Sequence, residues 1–334
     1  MELIRRRAYA RAGLMGNPSD GYHGKTISVI VRNFWSEVTL YEWDRLEIVA
    51  TQNDKSAFRN IGELAKDVKL HGYYGGMRLI KASLKRFYDY CVLHSHLLRP
   101  ENFSIRYESN IPRQVGLAGS SAIIVATFRC LIDFFDVEIP KEVLPSLALS
   151  VERDELGIMA GLQDRVAQVY EGMTFMDFSK NATKFIHGLE CGEYESIPLD
   201  FLPNLYLAYS SEFGEPTEIF HNNLRARYES GETKVVEAMQ QFAELSVLAK
   251  KAILEQDGRK LAELINANFD LRRSICRLPK EHVEMIEVAR KTGASAKFAG
   301  SGGAIIGTYD SIDSYEKLKK YLGQIGCTVI RPIV

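Results

Sequence analysis

The stretch IPRQVGLAGSSAIIVATF, residues 111–128, limits what this chain can fold into more than any other part of it. Gly116, Gly119, Ser120 and Ser121 crowd in just ahead of AIIVATFRCLIDFF, a run too long for one strand and apolar almost all round. Such a run predicts a helix buried on every side. Small residues in front of it let several backbone N–H groups point into one concavity, and the helix dipole adds partial positive charge there. Phosphate is the usual guest of such a cradle, and a serine hydroxyl at this place can ligate Mg2+ carried by a nucleotide. The same residues also fit a plain turn before a core helix, and the GxxxxGK[ST] pattern of Walker loops is absent.

A chain of 334 residues is too long for one ordinary core and predicts two domains. Lys and Arg total 42 against 43 Asp and Glu, so no overall field draws the protein to nucleic acid or to an anionic membrane. A charged ligand must therefore be recognised locally. The five cysteines, Cys91, Cys130, Cys191, Cys276 and Cys327, form no CxxC pair and read as reduced structural thiols of a cytoplasmic protein. His94-Ser95-His96 cannot face both imidazoles one way on a helix and has no Cys or carboxylate cluster beside it, which argues against zinc. No apolar stretch after Arg5-Arg6-Arg7 makes a signal peptide, and no window reaches a membrane span. The expected partners are small molecules, with neither nucleic acid nor membrane, and the chain is expected as a monomer or a homodimer.

KTISVIV, WSEVTLY and RLEIVA are β-branched and aromatic and predict strands within the first fifty residues. About residues 55–69 read as loop and short helix. Met77, Leu79, Ile80, Leu84, Phe87 and Tyr88 then recur at helical spacing. NFSIRYES alternates as a strand and leads straight into the glycine–serine turn. After the buried helix, SLALSVERDEL and GLQDRVAQVYEG predict helices and MTFMDFS a strand. Past residue 190 come strands LYLAYS and CTVIRPI, helices near 218–227, 233–255 and 259–276, two more in PKEHVEMIEVARKTG and DSYEKLKKYLGQIG, and a glycine-rich loop feeding a strand. The fold class expected is α+β in two domains, residues 1–180 and 181–334, without the βαβ alternation of a doubly wound sheet.

Two further stretches hold groups suited to chemistry. In SVERDELGIMAGLQDR, Glu152 and Asp164 lie near helix ends in apolar surroundings. One carboxylate can hold a metal while the other takes a proton from an attacking hydroxyl, given a cation beside it. Two solvated carboxylates, or two helix caps, account for the same residues. In KFAGSGGAIIG, Gly300, Ser301, Gly302 and Gly303 form either a tight connection or a loop that a ligand or another segment approaches closely. Arg11, in ARAGLMGNPSD, supplies a cation at a strand end.

Taken in this order, the stretches resemble the GHMP kinase superfamily, named for galactokinase, homoserine kinase, mevalonate kinase and phosphomevalonate kinase. Its motif PxxxGLxSSA is matched by Pro112, Gly116, Leu117, Ala118, Gly119, Ser120, Ser121 and Ala122, with one residue inserted before the serine pair. The motif APGRxxLxGEHxD is matched by Ala8–Asp20, with Asn17-Pro18 in place of Glu-His. The resemblance implies a ribosomal-S5-domain-2-like N-terminal domain that binds ATP and a ferredoxin-like C-terminal domain. It further implies ATP on the 112–122 loop, Mg2+ held by Ser121 and Glu152, and Asp164 as catalytic base beside Arg11. Asp20 then meets substrate hydroxyls, Gly300, Ser301, Gly302 and Gly303 close on the substrate, and Gln163 and Arg113 join the substrate site. Tyr22, Tyr73 and Tyr74 are further candidates for sugar or adenine contacts. The longer matches, such as GYYGGMRL and GIMAGLQDRVAQVYEG, resemble members that phosphorylate a uronic acid at its anomeric hydroxyl, with D-glucuronate expected. A uronate needs a cation for its carboxylate, and Arg113, Lys25, Arg272 and Arg273 stand in or beside the matched stretches. Kinases of galacturonate, fucose or a heptose, and a regulator that binds ATP and sugar without turnover, are the alternatives.

Overall fold

The computed structural model describes residues 3–50, 75–210 and 224–334. The expectations for residues 55–69, for Tyr73 and Tyr74, and for the first part of the 218–227 helix lie outside the described residues.

Two long strands frame the first lobe. β1 (Leu3–Met15) and β2 (Lys25–Trp43) run antiparallel, from the pair Leu3 and Tyr41 to the pair Met15 and Ile27. KTISVIV and WSEVTLY, expected as separate strands, are thus parts of one strand of 19 residues. β3 (Glu47–Ile48) is short and parallel to β4 (Asn102–Ser109), which pairs with residues 36–43 of β2. β5 (Met173–Asp177) pairs with residues 25–29 on the same edge. β6 (Lys184–Ile186) and β7 (Leu189–Cys191) form a hairpin, after which β8 (Glu193–Ile197) returns to pair with β5. The first sheet is therefore complete only at Ile197. The chain passes to the second sheet between Ile197 and Leu205, later than the expected boundary after residue 180, because the hairpin departs from the sheet and comes back.

α1 (Gly76–Leu93) and α2 (Gly119–Phe135) pack together, with α2 laid against β1 and β2. The apolar surface of α2 is buried through Ile124, Phe128, Leu131 and Phe134, as a run without a polar face requires. α3 (Leu144–Ser150) runs on into a π-helical turn, Val151–Glu155, and α4 (Gln163–Tyr170) follows. π-helical turns of this kind often accompany functional sites.

The second lobe is built in the order β9 (Leu205–Tyr209), α5 (Thr233–Leu254), α6 (Gly258–Ile275), α7 (Lys280–Lys291), β10 (Lys297–Phe298), β11 (Ala304–Thr308), α8 (Ile312–Gln324) and β12 (Thr328–Ile330). Its strands lie in the order β10-β11-β9-β12, all antiparallel, which is the ferredoxin-like arrangement. One apolar core joins the lobes: Ile27, Phe128 and Leu131 belong to the same buried cluster as Leu207, Ile253, Ile265 and Ile306. Among the described residues no helix is long and apolar enough to cross a membrane.

Candidate active site

The glycine–serine turn is a backbone cradle. Gln114, Gly116 and Ala118 have φ of 58°, 74° and 64°, so every second residue ahead of α2 is left-handed. Alternation of this sort turns successive N–H groups toward one side, which is the geometry of an anion nest. Gly116 takes such a φ at no steric cost. The carbonyls are tied back on the other side: Gly116 O accepts from Arg11 Nη1 at 2.7 Å, Leu117 O from the Arg11 backbone N–H at 3.3 Å, and Ala118 O from Gln168 Nε2 at 2.9 Å. α2 starts at Gly119 with no side chain capping its first amides. Leu117 and Ala122 are buried and hold the two ends of the cradle in the core, while Pro112 is half-buried at its start.

Arg11 joins this loop to the acid that faces it. Its Nε donates to Asp164 Oδ1 at 2.7 Å and its Nη2 lies 2.6 Å from the same oxygen, while Nη1 also donates to Ala299 O at 3.1 Å. Arg11 is buried within β1, and Asp164 stands in the first turn of α4 with its side chain 23% exposed, open enough to meet a ligand.

Next along α4 stands Arg165, with its Nη1 3.7 Å from the other oxygen of Asp164. It is buried, donates through Nη1 to Gly161 O at 2.8 Å, and forms an ion pair with Glu152 through Nη2. Burial and the charge of Arg11 lower its pKa to about 9. Glu152, also buried, lies in the π-helical turn, and its second oxygen accepts from Ser120 Oγ at 2.8 Å. Ser121, the expected metal ligand, is fully buried and donates back to Ala118 O at 3.2 Å. Neighbouring residues in a helix diverge, and it is Ser120 that turns toward Glu152. One carboxylate oxygen beside a hydroxyl at a phosphate cradle fits Mg2+, which takes few protein ligands and completes its shell with phosphate and water.

Asp20 lies in a short 3₁₀ turn, with its Oδ2 accepting from Gln163 N at 3.4 Å. Burial and, next, the charge of Asp164 push its pKa up to about 6. Gln163, expected at the substrate, is buried and gives its Nε2 to Ser28 Oγ at 2.7 Å, so its side chain serves the β2 core instead. The loop Gly300–Gly303 packs behind the cradle: a Cβ on Gly300 would collide with Gly116 O, and one on Gly302 with the His282 ring. Gly300, Gly302 and Gly303 are buried, which leaves Ser301 as the half-exposed member of that loop. Of the candidate carboxylate anchors, Lys25 pairs with Asp177 at 2.5 Å, Arg273 with Glu287 at 3.1 Å, and Arg272 is buried on the carbonyls of Gly300 and Ser301. Arg113 is exposed at the mouth of the cradle. Tyr22 is buried against α5 in a small apolar cluster.

Residues 78–172 match the model of the GHMP kinases N terminal domain. Over 311 residues the chain is 42% identical to glucuronokinase 1 of Arabidopsis thaliana, spanning 91% of this chain and 84% of that one. The chain belongs to the GHMP kinase family. Probable glucuronokinase 2 of the same plant is 43% identical over 312 residues, with the same coverage. A Lactococcus lactis galactokinase complexed with galactose shares the fold, with a TM-score of 0.81 at 16% identity over 100% of this chain and 94% of that one.

In this GHMP kinase, sequence reasoning missed three buried groups that organise the site: Arg165, Gln168 and Lys297. Lys297 is buried on Gly13 O, Asn17 Oδ1 and Phe298 O, at 2.5, 2.5 and 2.8 Å, so it binds the third motif to the first. Burial holds its pKa well below the usual lysine value. The available signal for all three was a charged or amide residue inside an otherwise apolar-spaced stretch.

Proposed function

We propose that this GHMP kinase transfers the γ-phosphate of ATP to the anomeric hydroxyl of D-glucuronate, giving glucuronate 1-phosphate. The 42–43% identity to the plant glucuronokinases over nine-tenths of the chain supports the acceptor. One observation carries the chemistry: a single guanidinium, that of Arg11, is bonded both to the cradle at Gly116 O and to Asp164 Oδ1. The amides of residues 116–121 bind the phosphates of ATP. Arg11 takes up Asp164 Oδ1, and Oδ2 accepts the proton of the sugar hydroxyl. Asp20 orients the sugar through its other hydroxyls. Ser120 and Glu152 would hold Mg2+, which when bound neutralises charge on the phosphates. Positioning and charge neutralisation account for most of the acceleration in phosphoryl transfer of this kind. Five free cysteines support a reducing, cytoplasmic setting.

The test is ADP release by the purified protein with Mg2+-ATP and a panel of glucuronate, galacturonate, glucose, galactose and fucose. Glucuronate should be turned over with the highest kcat/KM and neutral hexoses should be poor substrates. Preference for any other sugar in the panel overturns the assignment.

A further inference from the structure

Arg165 stands beside a site that handles anions, yet its contacts are with the protein itself, at Glu152, Asp164 and Gly161 O. It is buried with a side-chain exposure of only 3%, and so is Glu152, its ion-pair partner. Asp164 Oδ2 lies 3.7 Å away, and among the described residues its Nε has no hydrogen-bond acceptor. Burying a charged group with one donor unsatisfied is costly, and an apolar pair of similar volume is often at least as stable. Stability therefore gives a poor account of Arg165.

The geometry around Glu152 gives a better one. Its two carboxylate oxygens are placed differently: Oε2 stands in the ion pair with Arg165 and has no hydrogen-bond partner among the described residues, and Oε1 meets the Ser120 hydroxyl at 2.8 Å. A free glutamate in a widened helical turn has several rotamers and two equivalent oxygens. Arg165, fixed by Gly161 O at 2.8 Å, removes that freedom and leaves a single oxygen turned toward the cradle. Groups that orient a metal ligand from behind in this way act on metal affinity without touching the metal.

We propose that Arg165 is a positioning residue for Glu152: it holds Oε2 so that Oε1 and Ser120 Oγ together face the divalent cation of the nucleotide. This rests on the kinase reading above. Arg165→Met removes the hold, while Arg165→Lys keeps the charge without the fork.

The experiment is a Mg2+ titration of ADP binding, followed by thermal shift and by calorimetry, with ADP in EDTA as reference. In the wild type Mg2+ should strengthen ADP binding. Arg165→Met should raise the half-saturating Mg2+ about 10- to 100-fold and leave ADP binding in EDTA unchanged. Arg165→Lys should recover part of the loss. In a Glu152→Gln background the Arg165→Met change should add little, because the partner through which it acts is gone. A Mg2+ titration of Arg165→Met that matches the wild type overturns the proposal, as does a shift of equal size in the Glu152→Gln background. If neither Arg165 variant folds, the residue is a structural member of the core and the proposal falls. If the wild type itself shows no Mg2+-dependent ADP binding, it is the kinase reading that fails.

Discussion

Arg11 and Asp164 meet through two guanidinium nitrogens, at 2.7 and 2.6 Å from the same carboxylate oxygen. The donors of one residue thereby saturate Oδ1 and set the plane of the acid, leaving Oδ2 to receive a proton. The third nitrogen of the same guanidinium donates to Gly116 O, so the acid and the cradle move as one piece. Asymmetric use of a carboxylate recurs across the site in Glu152.

Replacing Asp164 with Asn removes the proton acceptor but keeps shape and hydrogen-bonding capacity. Turnover should drop by about 100- to 10,000-fold, the usual worth of a positioned general base. ADP-release assays read the loss, and ADP binding measured by calorimetry should stay within a few-fold of the wild type.

Arg11→Met should behave differently, because Arg11 has two jobs. Its loss leaves Asp164, Gly116 O and Ala299 O without their shared donor. Breaking a buried charge pair costs about 3–5 kcal/mol, so the denaturant midpoint should fall markedly. Nucleotide affinity should fall together with kcat, which separates this variant from Asp164→Asn.

Asp20 predicts a pH signature. Its folded-state pKa of about 6 lies above its ordinary value of 3.8, so between those values the native state binds the proton more tightly than the unfolded chain does. Stability therefore declines as pH rises through this window, with the slope set by the difference in bound protons. Asp20→Asn should flatten that decline in melting curves taken from pH 4 to pH 7. Charged Asp20 is the better acceptor for sugar hydroxyls, so KM for the sugar should fall as pH rises through about 6 in the wild type.

Gly300→Ala should damage the cradle from behind, since its methyl would strike Gly116 O, a backbone atom with little room to retreat. ADP affinity should fall by more than about tenfold, on the order of 1.4 kcal/mol. Gly231, at φ 73° with open space around it, is a control away from the cradle. Gly231→Ala should cost about 1 kcal/mol of stability from the left-handed backbone and leave ADP affinity unchanged.

The elements with a strong period were legible in the sequence. α5 and α6 begin and end within a residue of expectation, because apolar spacing over four or more turns outweighs end effects, whereas α2 starts at Gly119, three residues ahead of the apolar run that announced it. The lobe boundary was not, because the return of β8 to β5 depends on a hairpin whose exit and re-entry leave no compositional trace. At the site, Arg11, Glu152 and Asp164 were each identifiable, and they do converge around the cradle. Which serine meets Glu152 was not readable, since it depends on the angle at which α2 leaves the loop. Arg165 was overlooked for a related reason: beside an aspartate, an arginine reads as solvated charge until the fold buries it.

The shared core has a mechanical corollary. With Leu207, Ile253 and Ile306 interlocked with Ile27 and Phe128, the two lobes cannot swing apart like jaws without tearing apolar surface open to water. A heating scan should therefore record one melting endotherm for the whole chain rather than two.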